Sequence, residues 1–97
     1  TTGTAMTAFA QIHNHHEQAV IAAVHAIAPQ YPAVDDDELL ADVACVALNR
    51  LPPRYIRHEV DFAFYLSERE RAESDRQVNE AVEFAFGFVQ ARTAMRA

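Results

Sequence analysis

Lysine and tryptophan are absent from this 97-residue chain, cysteine occurs once and glycine twice. A single thiol, Cys45, can form no internal disulfide and cannot build a cysteine-rich zinc cluster, which favours a reducing, cytoplasmic setting. With two glycines and four prolines the chain has no collagen-like or linker-rich segment, and it shows no internal repeat or low-complexity tract. No apolar run approaches about 18 residues, and no charged start leads into a hydrophobic stretch, so neither a membrane span nor a secretion signal is readable. Strong positive charge is missing too, the net charge being −6. A duplex-binding protein needs a basic face several phosphates long, so direct nucleic-acid binding is not expected.

What remains is enough for one folded unit. Half of the residues are apolar (51%) and 23% are charged, which lies outside the disordered range and suits one core of ordinary size. We read a single domain over residues 6–97, with residues 1–5 as a cloning remnant or disordered tail ahead of Met6. The charge is unevenly placed. Residues 1–49 carry Glu17, Asp35, Asp36, Asp37, Glu38 and Asp42 and no arginine, whereas residues 50–58 carry Arg50, Arg54 and Arg57 and no acid until Glu59. The stretch from residue 59 onward is acidic again. A small anionic ligand needs only two or three arginines, which bond phosphate oxygens or a guanine edge in bidentate fashion.

Helical periodicity organises most of the chain. Phe9, Ile12, Ala19, Val20, Ala23, Val24 and Ile27 recur at helical spacing up to Pro29, which predicts a first helix over residues 6–28. Residues 30–34 form a connection. Asp35 and Glu38 have capping-box spacing, and Leu39, Leu40, Val43, Ala44, Val46, Ala47, Leu48 and Leu51 predict a central helix from about Asp36, apolar round most of its girth. Pro52 and Pro53 end it. From Arg54 to Leu66 the alternation of Val60, Phe62, Phe64 and Leu66 with Glu59, Asp61, Ala63 and Tyr65 points to an extended segment, with a helix as the alternative. Ser67 and Glu70 repeat the capping-box spacing, and Val78, Ala81, Val82, Ala85, Phe88 and Val89 keep helical phase to about Arg92. The fold class is therefore all-α, a small bundle of three main helices with a short extended segment. Because the last helix exceeds what one small core needs, and Phe84, Phe86 and Phe88 cannot share one direction, a homodimer through it is expected.

The run from Asp42 to Ile56, DVACVALNRLPPRYI, resembles the bacterial ComFB family of late-competence-development proteins nearly residue for residue. Ile12 to Val20, with Asn14 and Glu17, is similar to the family's opening helix, and the helix holding Gln77 and Ala81 fits its last helix less specifically. The resemblance implies a small helical homodimer that acts without catalysis. It implies a receptor for cyclic dinucleotides, chiefly cyclic di-GMP, that relays occupancy to a partner protein; an adaptor of the same fold without nucleotide binding is the alternative. Many relatives carry cysteines just before the run, able to hold zinc, where this chain has Asp35, Asp36, Asp37 and Glu38. No metal or other cofactor is expected.

The residues allow a physical account of such a site. Two prolines stiffen the chain after a packed helix and preset the direction of Arg54 and Tyr55, which lowers the entropy lost on gripping a ligand. Arg54 is the expected main contact, with Arg50 and Arg57 converging on the same anion, Tyr55 offering a face to a base, and Asn14 a further polar group. A plain structural account stands beside it: Arg50 and Arg57 pair with Asp42, Glu59 or Asp61, and Tyr55 is core. His13, His16 and Glu17 share one face of the first helix, with His15 pointing elsewhere, a spacing that suits metal ligands or merely an exposed polar face. Asn14 and Asn49 sit inside predicted helices and so should each bond something specific. Cys45 reads as inert filler within a packed helix. No nucleophile with its base and no Gly-rich phosphate loop appears, so an enzyme is not expected.

Overall fold

In the computed structural model, residues 7–96 are described, apart from the side chains of Asp61, Phe62 and Tyr65; the expectation for residues 1–5 lies outside this range. The elements are β1 (His13–Asn14), α1 (His16–Ile27), α2 (Asp37–Arg50), β2 (Tyr55–Ile56), α3 (Glu59–Tyr65) and α4 (Glu68–Arg96). A helical turn over residues 7–10 precedes β1, and a 3-10 turn, Ala28–Gln30, follows α1. The all-α class holds.

Three helices make the core. α1 contributes Val20, Ala23, Val24 and Ile27, α2 contributes Val43 and Ala47 with Leu51 at its end, and α4 contributes Val78, Ala81, Val82, Ala85, Phe86 and Val89. Each set repeats at three- and four-residue steps, so each helix turns one stripe inward and the three pack pairwise. Val34, in the connection, closes one end. Tyr31 lies flat on Phe86, ring centroids 4.8 Å apart and 11° from parallel. The layer is thin, with extents of 51 × 37 × 19 Å and a radius of gyration of 15.8 Å, against about 13 Å for a compact domain of this length.

The helix ends follow local chemistry. Asp36, rather than Asp35, caps α2: its carboxylate accepts from the Leu39 N–H at 2.7 Å, and Leu39 in place of an acid at that position leaves no reciprocal bond. Ser67 accepts from the Glu70 N–H at 3.1 Å and so caps α4 as its spacing predicts. α4 continues past the expected Arg92 to Arg96.

Three expectations are corrected. The first helix is not continuous over 6–28, because residues 11–15 leave the helix and His13–Asn14 pair antiparallel with Tyr55–Ile56, His13 opposite Ile56 and Asn14 opposite Tyr55. The segment after Arg54 is extended only at that pair, and Glu59–Tyr65 is helical despite its alternating pattern. A strand needs a partner for its backbone N–H and C=O groups; β1 supplies two residues, and the following residues satisfy theirs within a helix. The consequence is that Val60 and Phe64, four residues apart, stand exposed together. Finally, α2 packs on α1 and α4 but not all round: Ala41, Asp42, Cys45 and Asn49 are exposed. Cys45 is thus a surface thiol rather than filler.

Candidate functional site

Asn14 holds the corner that follows α2. Its Oδ1 accepts from the backbone N–H of His16 at 3.1 Å and from that of Arg54 at 3.2 Å. The His15 N–H donates to the Arg54 carbonyl at 2.7 Å. One side chain thereby ties the end of β1, the start of α1 and the Pro-Pro-Arg turn, which span 40 residues of sequence. Asn14 is not inside a helix as expected; it caps backbone donors that no regular element would satisfy. Asn14→Ala should cost roughly 1–3 kcal/mol, the range for stranding protein donors, as a lower urea midpoint. Asn14→Asp, which keeps the acceptor, should recover most of it; an unchanged midpoint for Asn14→Ala would remove this anchor.

The corner and α4 enclose a cleft of about 520 Å³, within the roughly 300–1,000 Å³ usual for small-molecule sites. Arg54, Pro52 and Pro53 line it from the corner, His16 from α1, and Arg69, Glu70, Glu73, Ser74 and Gln77 from α4. His16 is only 7% exposed, and its Nδ1 is buried without a hydrogen-bond partner. Burial pushes the ring below its ordinary histidine value, the positive charges of His15 and Arg54 push the same way, and the Pro52 carbonyl opposes them. On α4 the Glu73 carboxylate is held below the usual range by Arg76, which also bonds Glu80.

The remaining predicted residues have different surroundings. The Arg50 guanidinium lies over the Phe84 ring at 3.6 Å and lines a neighbouring hollow that shares Pro52 and Gln77 with the cleft. Arg57 donates from Nε to Gln11 Oε1 at 3.0 Å. Arg50 and Arg57 thus have different neighbours, while Arg54 lines the cleft. Tyr55, in β2, is 69% exposed and is not core. Asp42 takes Arg92 as its ion-pair partner, at 3.5 Å, and Glu59 takes histidines, so neither is the partner expected for Arg50 and Arg57; the Asp61 side chain, the third partner expected, lies outside the described ones. Asn49 bonds the Cys45 carbonyl one helical turn back.

The histidines are split by the break in the first helix. His13 Nε2 meets one oxygen of Glu59 at 3.0 Å and His15 Nδ1 meets the other at 3.2 Å, so His15 joins the cluster instead of pointing away. His16 enters the cleft, and Glu17 lines a separate groove between α1 and α2. Both ring nitrogens of His13 face acceptors, the Gln11 carbonyl at 2.7 Å and Glu59, an arrangement only the imidazolium satisfies fully. The Gln11 carbonyl and then Glu59 raise His13 above its ordinary 6.5, and Glu59 is held below its ordinary 4.5 by His13 first and His15 next. The stabilisation from Glu59 is present above pH 4.5 and is lost as pH falls through its lower folded value. That from His13 is present below pH 6.5 and is lost as pH rises through its higher folded value. The difference in melting temperature between parent and Glu59→Gln should therefore peak between pH 4.5 and 6.5. A pH-independent difference would rule out this linkage.

Among the described residues no three His, Cys, Asp or Glu side chains are grouped so as to hold a metal ion, and no helix is long and apolar enough to cross a membrane. In the sequence His16 stands with His13 and Glu17 as a candidate metal ligand rather than as a cleft residue, and Arg69 and Ser74 do not stand out there. The available signal was a polar stripe on α4, since Arg69, Glu70, Glu73, Ser74 and Gln77 fall at helical spacing ahead of its apolar stripe. The family model for the late competence development protein ComFB matches residues 13–93 of this chain. No curated protein and no solved structure matches it.

Proposed function

The chain belongs to the ComFB family, and on that premise we propose that it is a non-enzymatic receptor for a cyclic dinucleotide, cyclic di-GMP first, that relays occupancy to a partner protein. The observation that carries this reading is the cleft of about 520 Å³ beside Arg54. It brings two arginines, Arg54 and Arg69, together with the neutral donors Ser74 and Gln77 in a chain of net charge −6. Such a set suits phosphodiester oxygens and base edges. Glu70 and Glu73 line the same cleft, so the two arginines must hold a doubly charged ligand against carboxylates as well as against the net charge of the chain. Arg50, across Pro52 and Gln77, extends the same surface toward a second nucleotide half; Tyr55 and Arg57, at β2, would enter only at its margin.

Titration calorimetry of the purified chain with cyclic di-GMP, cyclic di-AMP and GTP tests the proposal. Saturable binding of a cyclic dinucleotide at one site per chain is the expected result, and no heat with either cyclic dinucleotide would overturn it.

An adaptor role without nucleotide binding is favoured by a different observation. α1 and α2 leave an apolar groove of about 710 Å³, lined among others by Ile21, Leu40, Ala44, Cys45 and Leu48, and exposed apolar patches of that kind commonly mark partner surfaces. Self-association is part of either reading. The thin layer of helices and the outward Phe84 and Phe88 of α4, stacked on each other at 6.2 Å, suit a homodimer through that helix. Light scattering at micromolar concentration should give about twice the 10.8 kDa chain mass; a clean monomer with and without ligand would exclude the dimer.

A further inference from the structure

Within the cleft, His16 is unlike its neighbours. Among the described residues it is the buried polar one, it lines the cleft, and its Nδ1 is buried with no hydrogen-bond partner. A buried ring nitrogen without a partner is destabilising unless something else answers it. The charged groups around it are known on every side. His15 lies beside it at the start of α1, ring centroids 5.7 Å apart, Arg54 faces it from the corner, and α4 brings Arg69, Glu70 and Glu73. Glu17, next in sequence, turns to the other groove. Burial first, and then His15 and Arg54, hold the ring below its ordinary value in the empty cleft.

We propose that His16 takes up a proton when a phosphodiester anion occupies this cleft, so that ligand binding and protonation of its ring are coupled. The inference rests on the receptor reading above and specifies how that site is regulated. A phosphate oxygen against Arg54 offsets the charge that opposes protonation, and the anion's own charge in the cleft that His16 lines favours the imidazolium. An opposite charge within about 4–6 Å favours the imidazolium, and the ring carries the second proton that neutral imidazole does not. The sign follows from linkage. Affinity is highest below the ring's value in the empty protein and falls, by at most about tenfold per pH unit, as pH rises toward its value in the complex.

Calorimetry with cyclic di-GMP at pH 7, in two non-phosphate buffers of unlike ionisation enthalpy, reads the protons taken up on binding. Uptake approaching one proton per chain, abolished in a His16→Gln variant, is the expected result. Binding without uptake, or uptake that persists in His16→Gln, would overturn the coupling while leaving the receptor reading in place. Absence of binding by the parent would remove both. Should His16→Gln fail to fold or to bind, the midpoint of the His16 Cε1 proton resonance in the parent decides the matter: a rise on adding cyclic di-GMP is expected, and an unmoved midpoint overturns the coupling.

Discussion

Arg54→Ala is expected to weaken cyclic di-GMP binding by at least about tenfold while leaving the fold in place. The two halves of that statement have separate causes. Arg54 lines the cleft, where a charge-assisted bond from its guanidinium to a phosphate oxygen would be worth about 1.5–3 kcal/mol, on the order of tenfold to a hundredfold in affinity. The corner itself is held through the backbone of this residue, its N–H donating to Asn14 and its carbonyl accepting from His15. Alanine keeps both backbone bonds. Circular dichroism and chain mass should therefore match the parent while calorimetry shows the loss. Parent-like affinity would place the ligand elsewhere, and an unfolded variant would make this arginine a brace of the fold.

Phe86→Ala should produce the largest loss of stability. Phe86 is fully buried, the largest such side chain in the core, and it carries the flat contact with Tyr31 that pins the connection onto α4. Truncating a buried phenylalanine typically costs about 3–5 kcal/mol, against a total of roughly 5–15 kcal/mol for a domain of this size. A fall in melting temperature of tens of degrees is expected. Phe88, two residues on, is 46% exposed and points to the opposite side of the helix. In the monomer its truncation should cost about 1 kcal/mol or less, as usual for surface positions. Thermal denaturation of both variants checks the contrast. A loss for Phe88→Ala as large as that for Phe86→Ala would show that the outward face of α4 is buried in the native assembly.

How the candidate site was legible divides along the same line as the fold. Arg54 stood out in the sequence because it follows two prolines in the only cationic stretch of an acidic chain, and both facts are local. His16, Ser74 and Gln77 acquire their roles only when α1 and α4 are brought beside the corner. The three arginines looked convergent from their spacing of three and four residues; Arg54 lines the cleft, Arg50 lies over Phe84 and Arg57 bonds Gln11. Asn14 shows the difference most clearly: its type announced a specific bond, while the identity of that bond lay 40 residues away.

The sequence by itself determined a central helix beginning close to Asp36 and ending before Pro52, the capped start of α4 at Ser67 and most of the inward positions of the main helices, although Phe9, Ile12 and Phe88 from those patterns are exposed and Phe86 is buried instead. These features depend on steric and hydrogen-bonding choices within about four residues, which composition and spacing encode directly. Tertiary structure alone decided the break at residues 11–15, the pairing of His13–Asn14 with Tyr55–Ile56, the helical state of Glu59–Tyr65 and the burial of His16. In each case the backbone or ring is satisfied, or left unsatisfied, by a group remote in the chain. Only the packed helices bring such groups within hydrogen-bonding reach.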